Sequence, residues 1–164
     1  MQPDLSEAIK APSMHYRIEC VDAEGKLRWV EEFDNLVTTG GKTDIIDKYL
    51  KGSAYTAAWF LGLKGTGSAA VGDTLASHAG WAESNPYTGN RPAITWGTTA
   101  AGSNTATAVS YSITVAGPTT VAGAFVASVN TGTSGILYSV GDFAASRSVY
   151  AGDTLNVTVT QSVT

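Results

Sequence analysis

The chain has 164 residues, 15% of them charged, a formal net charge of −4 and a single cysteine. That length fits one domain with one core. The ten Lys and Arg residues are scattered, which argues against the basic face of a nucleic-acid binder. The solitary Cys20 rules out an intrachain disulfide, and no apolar run approaches the roughly 18 residues that span a bilayer.

Residues 1–13 carry Pro3 and Pro12 and little apolar content. They read as an extended arm ahead of a single β-sandwich domain over residues 14–164. The start is polar and acid-bearing, unlike an export signal, so the expectation is folding and use inside a cell.

His15 to Phe33 reads as a β-hairpin. Tyr16, Ile18 and Cys20 alternate with Arg17, Glu19 and Val21, and Asp22-Ala23-Glu24-Gly25 supplies the turn. On the return strand, Leu27, Trp29 and Glu31 share one face and Arg28, Val30 and Glu32 the other. Cys20 reads as a small apolar strand residue, since no nearby base would activate a thiol.

One short helix follows. Thr43 is the expected N-cap, with Asp44 in the first turn. Ile45, Ile46, Tyr49 and Leu50 form one apolar stripe, and Gly52 is the natural stop. Two turns are unstable alone, so the helix should plug one end of a sheet core.

Ala57 to Leu63 is an apolar run of strand length. The connection from Gly65 to Asn90 is too long to be idle, and Leu75 to Glu83 is expected to make a helical turn within it. Further strands are expected over Ala93–Trp96, Ala106–Ala116, Thr120–Val129 and Ile136–Val140. A connection then runs from Gly141-Asp142 to Gly152-Asp153, and a last strand spans Thr154–Val163. In that strand Leu155, Val157 and Val159 alternate with Thr154, Asn156, Thr158 and Thr160. About eight strands with turn signals between them indicate an all-β antiparallel sandwich or jelly roll.

Charge is nearly absent from this second half. Among the 74 residues from Arg91 to Thr164 only Arg91, Asp142, Arg147 and Asp153 are charged, where about a quarter is usual. Hydroxyl groups, or burial against a partner, must keep such a surface in solution.

Several patterns imitate chemistry. Gly65-Thr66-Gly67-Ser68-Ala69-Ala70 resembles a dinucleotide loop, but Gly72 and Asp73 interrupt the helix it would need. Gly40-Gly41-Lys42-Thr43 resembles the end of a phosphate loop, but Leu36 stands where the leading glycine belongs. Asp73, His78 and Glu83 share one loop, yet they are five residues apart and lack the close spacing of metal ligands. Asp73 and Asp153 each sit in Gly-Asp-Thr and are expected to close turns by accepting backbone N–H bonds. Asn156-Val157-Thr158 matches a glycosylation acceptor but lies mid-strand. No catalytic, cofactor-binding or metal-binding residue is assigned. Trp59, Phe60, Trp96, Tyr111 and Phe125 are expected in the core. Trp81, Tyr87, Tyr138, Phe143 and Tyr150, in or near loops, are candidate interface anchors.

Taken together, these residues resemble bacteriophage head decoration, or cement, proteins. The resemblance is carried by Asn35-Leu36-Val37-Thr38 before the short helix, Trp59-Phe60-Leu61-Gly62-Leu63, Gly72-Asp73-Thr74 and His78-Ala79-Gly80-Trp81-Ala82-Glu83. It continues through Tyr87, Arg91-Pro92, Val121-Ala122-Gly123-Ala124-Phe125, Gly135 to Gly141 and Ala151 to Leu155. It implies a sandwich subunit assembled in the host cytoplasm on the outside of a capsid. The implied partners are the major capsid protein and copies of itself, as a trimer. It implies no enzyme activity, cofactor, nucleic acid or membrane. A tail-associated receptor- or glycan-binding module is the alternative expectation, and a depolymerase acting through Asp73 and Glu83 a third.

Overall fold

The computed structural model describes residues 12–54 and 58–163. The arm expected over residues 1–13 therefore lies outside the described residues, except for Pro12 and for Ser13, which already belongs to the first strand.

Among the described residues ten strands form two antiparallel sheets packed face to face. In the front sheet β1 (Ser13–Val21) lies between β2 (Leu27–Asp34) and β10 (Thr154–Ser162). The far edge of β10 is shared by β6 (Ser103–Thr105) and β7 (Val109–Ser112). The back sheet runs β3 (Leu36–Val37), β9 (Leu137–Val149), β8 (Thr119–Ala127), β4 (Phe60–Gly67), β5 (Trp81–Glu83). The antiparallel sandwich expected from the period-2 patterning is thus the fold. Its first hairpin turns where the sequence placed it: Gly25 has φ +80°, and Asp22 Oδ1 accepts the Lys26 N–H at 2.8 Å.

Several elements differ from expectation, each for a local reason. β3, β5 and β6 are only two or three residues long, too short for a periodicity to register. Ala93–Trp96 is not a strand. It makes two isolated bridges, Ala93 to Phe60 and Trp96 to Ala106. The connection expected after Gly141-Asp142 is strand: β9 continues to Val149, and its run of small exposed residues, Ala144 to Ser146, hides the alternation. Leu75 to Glu83 makes no helical turn. The backbones of Thr74 and Ser77 bond each other, N–H to O at 2.9 Å and 3.2 Å, and Trp81–Glu83 is drawn into β5 beside β4.

Thr43 is not the helix cap. α1 (Thr39–Ile45) starts after Thr38, whose Oγ1 accepts the Gly41 N–H at 3.0 Å and donates to the Leu137 carbonyl. The paired glycines sit inside the first turn because α1 presses directly on β9. A Cβ on Gly41 would stand 2.3 Å from the Tyr138 carbonyl oxygen, a close approach that only glycine permits. A π-helical turn (Ile46–Leu50) follows, closed by Lys51 N–H to Ile46 O, and Gly52 ends it at φ +70° as expected. The extra residue in that turn swings the apolar stripe off its target. Ile45 packs on the core, but Ile46, Tyr49 and Leu50 are 52%, 86% and 74% exposed. Asp44, expected in the first turn, is buried beyond it.

Between the sheets, Tyr16, Ile18, Val109, Tyr111, Leu155, Val157 and Val159 meet Leu61, Leu63, Val121, Val126 and Tyr138. Tyr16 stacks on Phe33 at 5.0 Å and shares a 2.9 Å hydrogen bond with Ser139 Oγ. Phe125 alternates with Ala124 and Val126 and so points away from this core. It joins Leu75, Trp81, Leu137 and Val140 in a second cluster, where the Gly65–Asn90 connection covers the outer side of the back sheet. Gly62, opposite Phe125, leaves room for its ring; a Cβ there would meet Cζ at 2.1 Å. No described helix is long and apolar enough to cross a membrane.

Candidate interaction surfaces

The three polar residues singled out in the long connection do not form one site: Asp73 and His78 both engage Trp81, and Glu83 stands apart from them. Trp81 Nε1 donates to Asp73 Oδ2 at 2.8 Å, and His78 stacks on the Trp81 ring at 4.0 Å while its Nδ1 lies 2.9 Å from the Trp81 carbonyl. Glu83 instead takes Arg91 in a two-pronged pair, 2.8 Å from Nε and 2.7 Å from Nη2. Buried Arg91 also donates to the carbonyls of Val129 and Gly132. Two acidic side chains thus hold loops closed. Among the described residues no three His, Cys, Asp or Glu side chains come together as a metal site.

Sequence patterning missed Lys64. It lies in an apolar strand, is fully buried, and pairs with Asp142 Oδ1 at 2.8 Å. The register explains how it reaches that carboxylate: Lys64, Gly123 and Asp142 are directly opposed across β4, β8 and β9. With no side chain on Gly123, the lysine crosses the middle strand. Its ammonium also donates to the Gly65 and Gly67 carbonyls and lies 5.7 Å from the centre of the Trp81 ring. Only the strand register could have revealed this pair.

Asp153 closes its turn as expected, taking the Tyr150 N–H at 2.9 Å. It also holds Arg28 Nη1 at 2.6 Å and accepts from Cys20 Sγ at 3.7 Å. Burial first, then the Asp153 charge, pushes the Cys20 thiol up to about 12. Asp73 likewise closes its turn on Ala70.

Most of the proposed aromatic anchors are unavailable as such. Trp81, Tyr138 and Phe143 are largely buried within the chain, because they lie in strands, Trp81 in β5 and the other two in β9, and pack into the two apolar clusters; Tyr138 also lines a groove at the helix end of the sandwich. Tyr87 is half-buried, packs edge-on against Tyr111 at 4.7 Å, and has a hydroxyl with no hydrogen-bond partner. Tyr150 remains exposed, with the Arg28 guanidinium 4.6 Å above its ring. Of the expected core aromatics, Tyr111 and Phe125 are buried, while Trp59 and Trp96 are only partly covered.

Two uncovered surfaces remain prominent. One is the outer face of the front sheet. Its β2–β1 half is charged, with Arg17 paired to Glu32 and Glu19 and His15 to Asp34. Its other half, built by β10, β6 and β7, is uncharged. Thr105 and Thr160 are joined at 2.9 Å, Ser110 and Asn156 at 2.5 Å, and Ser103 and Ser162 at 3.1 Å, with Thr154, Thr158 and Ser112 completing the surface. Asn156, of the glycosylation pattern, is one rung of this ladder.

The second surface is a groove of about 790 Å³ at the helix end of the sandwich. Trp59, Trp96, Tyr138 and Tyr49 line it together with Met14, Ile45 and Asp44. Trp59 and Tyr138 meet edge-to-face at 5.2 Å, and the Tyr138 hydroxyl accepts from Gln161 Nε2 at 2.7 Å. Burial pushes that phenol up to about 12. A smaller cleft of about 360 Å³ lies between Tyr87, Thr88, Asn90, Ser110, Ser112 and Thr114. No protein-family model matches the chain, and no curated protein matches it.

Proposed function

We propose that the chain is a structural subunit of a virus particle, a decoration or cement protein that binds the outside of a phage capsid and stabilises contacts between capsomers. The observation that carries this reading is the uncharged Thr, Ser and Asn surface over β10, β6 and β7. Stable interfaces are depleted in charge at their centre and bury about 800 Å² per partner. Neutral hydroxyls can be desolvated at a cost that paired charges cannot match. The motif resemblance to decoration proteins supplies the partners: the major capsid protein, and further copies of the chain, as a trimer. On this reading the protein works at the capsid surface, needs no cofactor and performs no catalysis.

Substituting arginine at Thr105 and Ser110, both exposed on that surface, tests it. The double variant is expected to keep its melting temperature yet lose co-sedimentation with empty shells. Amides of β6 and β7 should also gain protection from hydrogen exchange on wild-type particles. Undiminished binding of the double variant would overturn the proposal.

The small cleft favours a second reading, a glycan-binding module of the virion, because the hydroxyl side chains of Thr88, Ser110, Ser112 and Thr114 gather around it. Selective retention on a glycan array, abolished by Ser112→Val with Thr114→Val, would establish that reading in place of the first.

A further inference from the structure

Among the described residues Asp44 forms no ion pair. Its residue is 8% exposed and it lines the end groove. Among the described residues its carboxylate has no hydrogen-bond partner, and no cationic nitrogen lies within 4.0 Å of it. Lys48, one turn on, also lines the groove but donates its ammonium to the Ala54 carbonyl. Asp44 lies past the first turn of α1, so the positive end of the helix macrodipole does not support it. Its carboxylate lines the groove together with the rings of Trp59, Trp96 and Tyr138. Aromatic faces with a nearby carboxylate attract organic cations.

We propose that this groove receives a lysine or arginine side chain from a segment of a partner protein, the cationic head set between Asp44 and the rings of Trp59, Trp96 and Tyr138. A protein segment fits better than a free amine because the rim is apolar beyond the reach of one side chain. Tyr49 and Val163 stand exposed there, Tyr49 on a π-helical turn of the kind that often marks functional sites. The net charge of −4 also favours a basic partner. A neutral sugar would stack on the rings but leave the Asp44 charge uncompensated. Where the inference extends the capsid reading, the segment belongs to the shell protein; the test below does not depend on that.

The indole N–H resonances of Trp59 and Trp96 are followed by NMR while N-acetyl-arginine methylamide, N-acetyl-lysine methylamide and N-acetyl-norleucine methylamide are added to the full chain. The two cationic amides should give saturable shifts at both indoles, and norleucine should bind at least tenfold more weakly. Asp44→Asn should weaken arginine binding at least tenfold, whereas Asp47→Asn, at a carboxylate already paired with Lys51, should not. A blocked Leu-Ala-Arg-Ala-Leu peptide should bind at least tenfold tighter than the single amide, through the apolar rim. Norleucine binding equal to arginine would overturn the proposal without recourse to any variant, as would shifts produced only by methyl glycosides. Equal affinity of peptide and amide would overturn the docking of a segment. Arginine binding without shell binding would refute the capsid reading alone, and shell binding without arginine binding would refute this site alone.

Discussion

The Lys64–Asp142 pair makes a prediction whose size depends on which partner is removed. The Lys64 side chain is fully buried, whereas the Asp142 side chain is 38% exposed. Asp142→Ala strands an ammonium that keeps only the Gly65 and Gly67 carbonyls and the Trp81 ring. Breaking a buried pair this way costs about 3–5 kcal/mol. The exposure of Asp142 and the two surviving carbonyls bring the loss down to or below the bottom of that range, about 2–3 kcal/mol. For a chain of this length that corresponds to a melting temperature lower by about 5–10 °C. Lys64→Met removes the charge from the buried side and fills similar volume. It leaves Asp142 with the Ala69 N–H at 3.1 Å and with water, so its cost should stay near 1 kcal/mol. Urea denaturation of both variants and of the double variant measures each loss and the coupling. A loss for Lys64→Met equal to or greater than that for Asp142→Ala would refute the claim that the buried ammonium is the dependent partner.

Thr38→Ala should cost about 1–2 kcal/mol by urea denaturation, because the true N-cap is lost; Thr43→Ala, at an exposed position inside α1, should change stability by less than about 0.5 kcal/mol. Arg91→Lys should also destabilise measurably, since an ammonium cannot make the two-pronged contact with Glu83 while holding the Val129 and Gly132 carbonyls. Alkaline titration has a defined sign. The Cys20 thiol and the Tyr87 and Tyr138 phenols are pushed up to about 12, in each case chiefly by burial, while in the unfolded chain they ionise near 8.5 and 10. Their neutral forms therefore favour the fold fully below about pH 8.5, and the urea midpoint should fall as pH rises from there towards 12. A midpoint unchanged across that range would contradict their burial.

Legibility followed period and length. The long alternating strands β1, β2, β8 and β10 could be read directly, because each has one wet and one dry face or a sustained apolar run. The helix was found but misplaced. Thr43 precedes a plausible stripe, yet tertiary packing on β9 drew the glycines into the first turn and moved the cap to Thr38. The aromatic anchors failed for a related reason. Loop position predicts exposure only when the loop is free, and the loop carrying Trp81 is the lid of the second cluster. The roles of Lys64, Arg91 and Asp44 were not legible because each depends on residues distant in sequence. The Gly-Asp-Thr turns, by contrast, are local chemistry and were legible at once.

The two sheets differ in what covers them. The back sheet carries its own lid, anchored through Asp73, Lys64 and Glu83, so its outer apolar residues need no partner. Among the described residues the front sheet has no such cover, and an antiparallel sheet can leave that face to water. Water alone, however, would tolerate charges over the whole face, as β1 and β2 show with their Arg, Glu, His and Asp residues. From β10 to β6 and β7 the same face instead carries hydroxyls and an amide bonded across strands. A surface meant to be buried repeatedly against another protein must lose its water cheaply and still satisfy its hydrogen bonds. Side chains that already bond one another meet both demands, which is why the change in composition along one continuous face is a stronger pointer to a docking surface than the exposure of any single aromatic residue.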